Sequence, residues 1–259
     1  NFTDAVRKYH ALSDFKVKIA IVPADKVDEE FQQSVMGKDM AMPLDERTLL
    51  AAVWDGIQFP EDDKGEPQLL QRVIAFANRI DRSQMFAGEK TDKNDNSHSF
   101  ESVVNLYNKK TRKRINRNYG TGNKVDVKHV DGSTNAITRR EKMRWLSRSN
   151  EDNKTCRILS NARCLSEGVD VPALDGVVFL NPRKSIVDVV QSVGRVMRKA
   201  QDKKYGYVIL PVAIPAGITP NEALDNNDTF KVVWQVLNAL RSHDEMFAKE
   251  INSLILDKK

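Results

Sequence analysis

The chain has 259 residues, 40% hydrophobic and 30% charged, which is apolar material for one sizeable core and more length than a minimal domain needs. Its net charge of +5 suits a polyanionic partner without requiring one. No run approaches the roughly 20 apolar residues of a membrane span, and Cys156 and Cys164, the only cysteines, make neither a disulfide framework nor a C-x-x-C zinc site. The opening NFTDAVRKYH lacks a signal-peptide layout, and His10, His98, His129 and His243 are scattered. A cytoplasmic protein with reduced thiols, no membrane partner and no metal site is therefore expected. A start without methionine reads as a piece of a longer chain.

Short apolar runs rich in valine and isoleucine alternate with longer helical patterns, the signature of a parallel sheet with crossover helices. In chain order, KVKIAIV (16–22) predicts a strand and LDERTLLAAVWDGI (44–57) a helix. RVIAFA (72–77) predicts a strand, followed by helices over 80–90 and 99–118. VDVKHV (125–130) and CRILS (156–160) predict strands flanking a helix over 137–147. GVVFL (176–180), a helix over 185–200 and YGYVILPV (205–212) complete the alternation. Such continuous runs, unlike alternating ones, suit strands covered on both faces. The tail over 228–256 carries apolar residues mostly three or four apart, one amphipathic face. Loops are predicted at 59–68 and 215–228. The expected organisation is a connection from upstream together with the first strand and helices of the domain over 1–60, the main α/β lobe over 61–214 and a helical extension over 215–259.

Chemistry concentrates in RKSIVDVVQSVGRVMRKA (183–200). Ser185 and Asp188 form a capping-box-like pair ahead of an apolar run, so a helix begins near Ile186. Within it Gln191, Arg195 and Arg198 stand at i, i+4 and i+7 and are expected on one face, with the valines turned to the core. Gly194 costs about 1 kcal/mol relative to alanine in a helix interior, which a close approach by backbone or phosphate would offset. Two planar, multi-donor guanidiniums suit a transferring phosphoryl group; a solvated basic face has the same local pattern. Upstream, SEGVDVP (166–172) reads as a strand-end loop, expected to line the same edge as the arginine-bearing helix. The run NKKTRKRINRN (108–118) makes Arg112, Arg114 and Arg117 candidates for tracking phosphates, or a solvated helix end. Trp145 and Trp234 follow helical apolar spacing, which favours core packing over base stacking.

The two segments SNARCLSEGVDVPALD and QSVGRVMRK resemble motifs V and VI of superfamily-2 helicases and translocases, and RVIAFANRIDRS and HVDGSTNAITRRE resemble the motif IV region and the strand-loop-helix after it. More narrowly, CRILSNARCLSEGVDVPALD, NPRKSIVDVVQSVGRVMRKA, KYGYVILPV and VVWQVLNALRSHDEMF look like the helicase part of single-chain type ISP restriction-modification enzymes. The resemblance implies the second RecA-like lobe of a DNA motor, a parallel sheet flanked by helices with a C-terminal helical extension. It makes Arg198 the arginine finger toward the γ-phosphate, with Arg195 assisting and Gln191 nearby. It places Gly168, Asp170, Glu167 and Gly194 at the nucleotide, and Asn78, Arg79, Gly132, Ser133 and Arg163 along the nucleic-acid backbone. Ala162 stands where many relatives carry a phosphate-contacting threonine, which puts that contact in doubt.

The family's ATP and Mg2+ site also needs a P-loop and an acidic motif. AGEKT (87–91) and LDER (44–47) imitate them only faintly, so both are expected in an upstream RecA-like lobe, and this segment alone is expected to be inactive. The resemblance further implies double-stranded DNA as partner, nuclease and methyltransferase domains in the same parent chain, and a bacterial cytoplasm. The competing expectation is a nucleic-acid-binding or docking module that keeps the fold without using ATP.

Overall fold

The computed structural model describes residues 4–9, 12–23, 44–58, 69–89, 99–114, 122–148, 152–162, 174–181, 185–200, 203, 205–214, 222 and 230–243. After a single π-helical turn, α1 (Asp4–Lys8), come β1 (Asp14–Pro23), α2 (Leu44–Gln58), β2 (Arg72–Ala77), α3 (Ile80–Ala87) and α4 (Phe100–Arg114). They are followed by β3 (Lys124–Asp131), α5 (Ala136–Ser147), β4 (Thr155–Ala162), β5 (Gly176–Phe179), α6 (Ile186–Val196), β6 (Tyr205–Ile214) and α7 (Lys231–His243). Every strand expected from the valine- and isoleucine-rich runs forms, and each lies within two residues of its expected bounds.

The six strands make one sheet in the order β1-β6-β5-β2-β4-β3, and every pairing is parallel. The four central strands are covered on both faces, which is why their sequences run apolar without alternation. Ile74, Phe76, Leu159, Val177, Phe179, Val208 and Leu210 face one cluster, closed by Leu146 of α5, Val189, Val193 and Val196 of α6 and Val233, Val236 and Leu240 of α7. Val73, Ala75, Ile158, Val178 and Ile209 face the other, closed by Val53, Trp54 and Ile57 of α2, Phe86 of α3 and Phe100, Val103 and Val104 of α4. The result is three layers, with α2, α3 and α4 on one side of the sheet and α5, α6 and α7 on the other.

The strand expected over 16–22 joins the sheet at its edge. β1 pairs with β6 along its full length, from Asp14↔Tyr205 to Pro23↔Ile214. Gly56 lets α2 lie against β6, because a Cβ there would come 2.5 Å from the Ile209 side chain. β1 and α2 are thus part of the lobe. The 59–68 and 215–228 loops lie outside the described residues, apart from Glu222. Cys156 is a buried free thiol whose pKa burial pushes well up; Cys164 lies outside the described residues.

Local stops follow the side chains. Gly88 ends α3 in the left-handed conformation at φ 71°, its N–H donating to the Met85 carbonyl while Glu89 N–H reaches Gln84. The Ala87–Gly88 start of AGEKT is therefore a helix end, and LDER opens α2. Ser185 caps α6 by accepting from Asp188 N–H at 3.2 Å, as the capping pair predicts. Trp145 packs against the first cluster and donates its indole N–H to Asp126 at 3.1 Å. Trp234 is 36% exposed on α7, contrary to the expectation of core packing, because Phe230, Val233, Val236 and Leu240 supply the buried stripe instead.

β6 leaves no room where it passes the end of α6. A Cβ on Gly206 would fall well inside contact distance of the Val196 carbonyl, a backbone atom that cannot rotate away. Gly206→Ala should destabilise the fold by about 1–3 kcal/mol, the usual cost of forcing extra volume into a packed site. Urea unfolding of the variant against wild type measures it, with Gly132→Ala as the comparison because a Cβ at Gly132 meets nothing within 4 Å.

Candidate functional site

In an open parallel sheet, ligands gather outside the carboxyl ends of strands where the chain departs to opposite faces. That point lies between β2 and β5: β2 leads to α3 on one face, and β5 leads to α6 on the other. A cleft of about 480 Å3 opens there, lined among others by Asn78, Arg79, Arg82, Leu180, Asn181 and Glu46. Asn181 Oδ1 accepts from Asn78 N–H at 3.2 Å, tying the exits of the two strands together. Arg79 is 64% exposed and chelates Asp81, through Nε at 3.0 Å and Nη2 at 2.6 Å. Arg82 pairs with Glu46, linking α3 to α2. Arg79 and Arg82 thus present guanidiniums at the cleft while each is held by a carboxylate.

The same edge continues through β4 to β3. Ala77, Ala162 and Asp131 are in register, so Asn78 and Gly132 leave the sheet from one level, about 10 Å apart across two strand spacings. The Gly132–Ser133 turn is built on Asp131, whose Oδ1 accepts from Ser133 N–H (2.8 Å), Ser133 Oγ (2.6 Å) and Thr134 N–H (3.1 Å). Its Oδ2 meets His129 Nε2 at 3.0 Å. His129 Nδ1 meets Ser83 Oγ at 2.7 Å, and Ser83 Oγ meets Ser160 Oγ at 2.6 Å. A buried polar chain thus runs from β4 through α3 and β3 to the surface turn, with Gly132 and Ser133 exposed at its end.

Hydrogen bonding from Ser133, then from His129, holds the Asp131 carboxyl well below the usual carboxylate range. A depressed folded-state pKa means the ionised form adds stability above the ordinary carboxylate value and loses it as pH falls through the folded one. Asp131→Asn should therefore cost about 1–3 kcal/mol at pH 7, the range for disrupting a buried hydrogen-bonded group. Thermal unfolding should show that deficit constant down to about pH 5 and shrinking below about pH 4.

The arginine-bearing end of α6 lies elsewhere. α6 starts after the carboxyl end of β5 and runs back, so Arg195 and Arg198 stand beside the first residues of β1 and β6. Among the described residues, the arginines are at the amino end of the strands, and Asn78 and Gly132 at the carboxyl end; the 166–172 loop expected beside the arginines lies outside the described residues. The helix also stops sooner than its sequence suggests. Met197 is its C-cap, and Arg198 forms an antiparallel bridge with Leu12 instead of another turn. Gln191 and Arg195 remain on the helix, Gln191 exposed and Arg195 half-buried, with Gly194 half-buried between them. Burial, then the nearby Arg198 charge, lower the Arg195 pKa, while Asp188 opposes them.

Three carbonyls in a row at this end are held by other segments. Lys203 Nζ donates to the Val196 carbonyl and to the Arg198 carbonyl at 2.9 Å, and Ser13 N–H donates to the Met197 carbonyl at 2.7 Å. Neither Ser13 nor Lys203 has a local sequence signal, and Asn181, Arg82, His129 and Ser83 were likewise missed. Only Asp131, followed by Gly-Ser-Thr, carried a legible turn pattern. Glu167, Gly168, Asp170, Arg163 and Arg117 lie outside the described residues. Arg112 and Arg114 belong to α4, and their side chains are outside the described ones. Among the described residues, no three His, Cys, Asp or Glu side chains form a metal-binding group, and no helix is long and apolar enough to cross a membrane.

A parallel sheet with helices on both faces and an arginine-bearing helix end at the last strand defines a RecA-like lobe of the helicase class. The chain belongs to the helicase conserved C-terminal domain family, which matches residues 68–200, just over half of its length. It is the C-terminal domain type of superfamily-2 helicases. Among solved structures it is similar to the ATP-dependent Type ISP restriction-modification enzyme LlaBIII bound to DNA, with 36% identity and a TM-score of 0.77 over 95% of this chain and 15% of that one. It is 35% identical over 94 residues to the probable helicase A859L of African swine fever virus (isolate Pig/Kenya/KEN-50/1950), covering 36% of this chain and 10% of that protein. Over 80 residues it is also 35% identical to putative helicase 22 of Sulfolobus islandicus filamentous virus, covering 31% of this chain and 13% of that one. The chain therefore spans about a tenth of the length of these curated relatives.

Proposed function

We propose that this chain is the second lobe of an ATP-dependent double-stranded DNA translocase, working within a type ISP restriction-modification enzyme of the bacterial cytoplasm. The carrying observation is the arginine end of α6, where Arg195 and Arg198 stand close enough for one charge to depress the pKa of the other. Two fork-shaped donors brought to one helix end suit a phosphate group. Bound ATP supplies the γ-phosphoryl group, whose charge spreads over its outer oxygens as it transfers. Arg198 is the finger toward it, Arg195 assists, and Gln191 and Gly194 complete that wall. Glu167, Gly168 and Asp170 are assigned to the nucleotide by motif alone.

The residues fit only one side of such a site. Gly88 of AGEKT is a helix C-cap and LDER a helix start, so the phosphate-cradling loop and the magnesium ligands are assigned to an upstream RecA-like lobe. DNA is assigned to the carboxyl edge, where Asn78, Arg79, Gly132 and Ser133 are exposed, with Arg163, Arg112, Arg114 and Arg117 as further candidates. Open space around Gly132 supports that assignment, because nothing among the described residues requires it to be small. Nucleotide and DNA then meet opposite edges of one sheet. A ligand bridging both lobes favours their closed arrangement, so binding and hydrolysis alternate closure with opening. Similarity to a DNA-bound, ATP-dependent enzyme over 95% of the chain supports the reading, and nuclease and methyltransferase domains are assigned to the rest of the parent chain.

Arg198→Ala in the full-length protein should cut DNA-stimulated ATP hydrolysis by at least about 10³-fold, the usual worth of an arginine finger. DNA affinity in a gel-shift titration should stay within about threefold, well under 1 kcal/mol. Undiminished hydrolysis would instead favour a docking module that makes no use of ATP. The 259-residue chain alone, rigorously purified, should release phosphate from ATP at background rate in a coupled assay.

A further inference from the structure

The last turn of a helix leaves carbonyls without partners, and the turn carrying Arg195 and Arg198 satisfies its own in an unusual way. Lys203 reaches back five to seven residues to the carbonyls of Val196 and Arg198, one on each side of Met197. Ser13 N–H takes the Met197 carbonyl between them. A cation at a helix C-terminus also meets the negative end of the macrodipole. Gly206, pressed against the Val196 carbonyl, closes the remaining side. The backbone from which Arg198 departs is therefore held by residues that lie outside the helicase motif itself.

We propose that Lys203 is a positioning residue for the arginine pair: its ammonium clamps the carbonyls on both sides of Met197 and fixes the backbone from which Arg195 and Arg198 reach a nucleotide. This inference rests on the nucleotide reading of those arginines. It adds that their placement is set by a lysine on the approach to β6, beyond the motif, and that it can be released without unfolding the lobe.

The charges around Lys203 make release measurable. Burial lowers its pKa to about 8, with Asp175, ahead of β5, opposing the shift and Arg72, at the start of β2, adding to it. Below that pH the charged clamp is complete, and above it the neutral amine holds the carbonyls less strongly. The sign for stability is the reverse. A lysine whose folded-state pKa is depressed binds fewer protons folded than unfolded between the two values, so global stability rises as pH climbs through that window. Loosening of the arginine turn and unfolding of the lobe therefore move in opposite directions with pH, a pattern that simple structural support does not produce.

The test uses the full-length protein with Lys203→Met and Lys203→Arg. Hydrogen exchange at Met197 and Arg198, whose amides donate to Val193 and Arg195, is read with and without ATP and corrected for the intrinsic effect of pH. Lys203→Met at pH 7 should speed exchange there about tenfold, the equivalent of about 1.4 kcal/mol, with β2 and β5 unchanged. Wild type at pH 9 should shift the same way, and Lys203→Arg, charged throughout, should not. DNA-stimulated kcat should fall about tenfold in Lys203→Met with the ATP KM within about twofold, the signature of a contact made in the transition state. Lys203→Arg should restore kcat and remove the alkaline decline near pH 8. Unchanged exchange in Lys203→Met overturns the proposal. So does an alkaline decline that persists in Lys203→Arg, which remains decisive should the methionine variant not fold. If Arg198→Ala keeps full hydrolysis, the nucleotide reading fails instead, whatever the exchange data show about the clamp.

Discussion

Parallel pairing of all six strands is the constraint from which the rest of this lobe follows. Every strand must be re-entered from the same end, so each connection begins at the carboxyl edge and returns to the amino edge. The two edges then acquire different populations: strand exits and turns at one, helix C-termini and strand entries at the other. Asn78, Asn181 and the Asp131 turn belong to the first, while the arginine end of α6, Ser13 and Lys203 belong to the second. The two edges therefore stand on opposite sides of one stiff sheet. Motion of the sheet as a body then carries both.

Each edge is stiffened by a different device. At the carboxyl edge the device is a buried polar chain, Ser160 to Ser83 to His129 to Asp131, ending in the exposed Ser133 turn. Satisfied polar chains in a low-dielectric interior specify one geometry, because any break leaves a buried group without its partner. The chain joins β4, α3 and β3, so the turn at Gly132 inherits the rigidity of three elements. Lys142 adds to it by donating to the His129 carbonyl at 2.5 Å and pairing with Glu89 at 3.1 Å.

At the amino edge the device is backbone contact. Val196, Met197 and Arg198 give their carbonyls to Lys203 and Ser13, and Gly206 abuts the same turn. An arginine that must meet a phosphate within a few tenths of an ångström needs a fixed origin more than an elaborate side-chain environment, since misplacement of about 1 Å can cost a hundredfold in rate. β1 matters to this directly: the segment leading into it supplies both Ser13 and the Leu12 bridge to Arg198. The first strand of the chain thus braces the last helix before β6.

Much of the architecture was legible in the residues themselves. Apolar runs such as VIAFA and GVVFL suit covered parallel strands, and each forms where its composition places it. The Ser185 cap and the Gly88 stop are equally local, set by a hydroxyl within reach of an N–H and by a residue free to adopt positive φ. The order β1-β6-β5-β2-β4-β3 and the pairing of β1 with β6 were not legible, because strand neighbours are chosen by shape and burial across long chain separations. The sequence by itself determined the elements, their parallel class and the motif that bears Arg195 and Arg198. Only the tertiary structure decided that Arg198 leaves the helix to bridge Leu12, that this helix end lies at the edge opposite Asn78, and that Lys203 bonds the carbonyls of Val196 and Arg198. Periodicity reports which side of a helix is apolar, but where the helix stops and what grips its end depend on groups brought together by the fold.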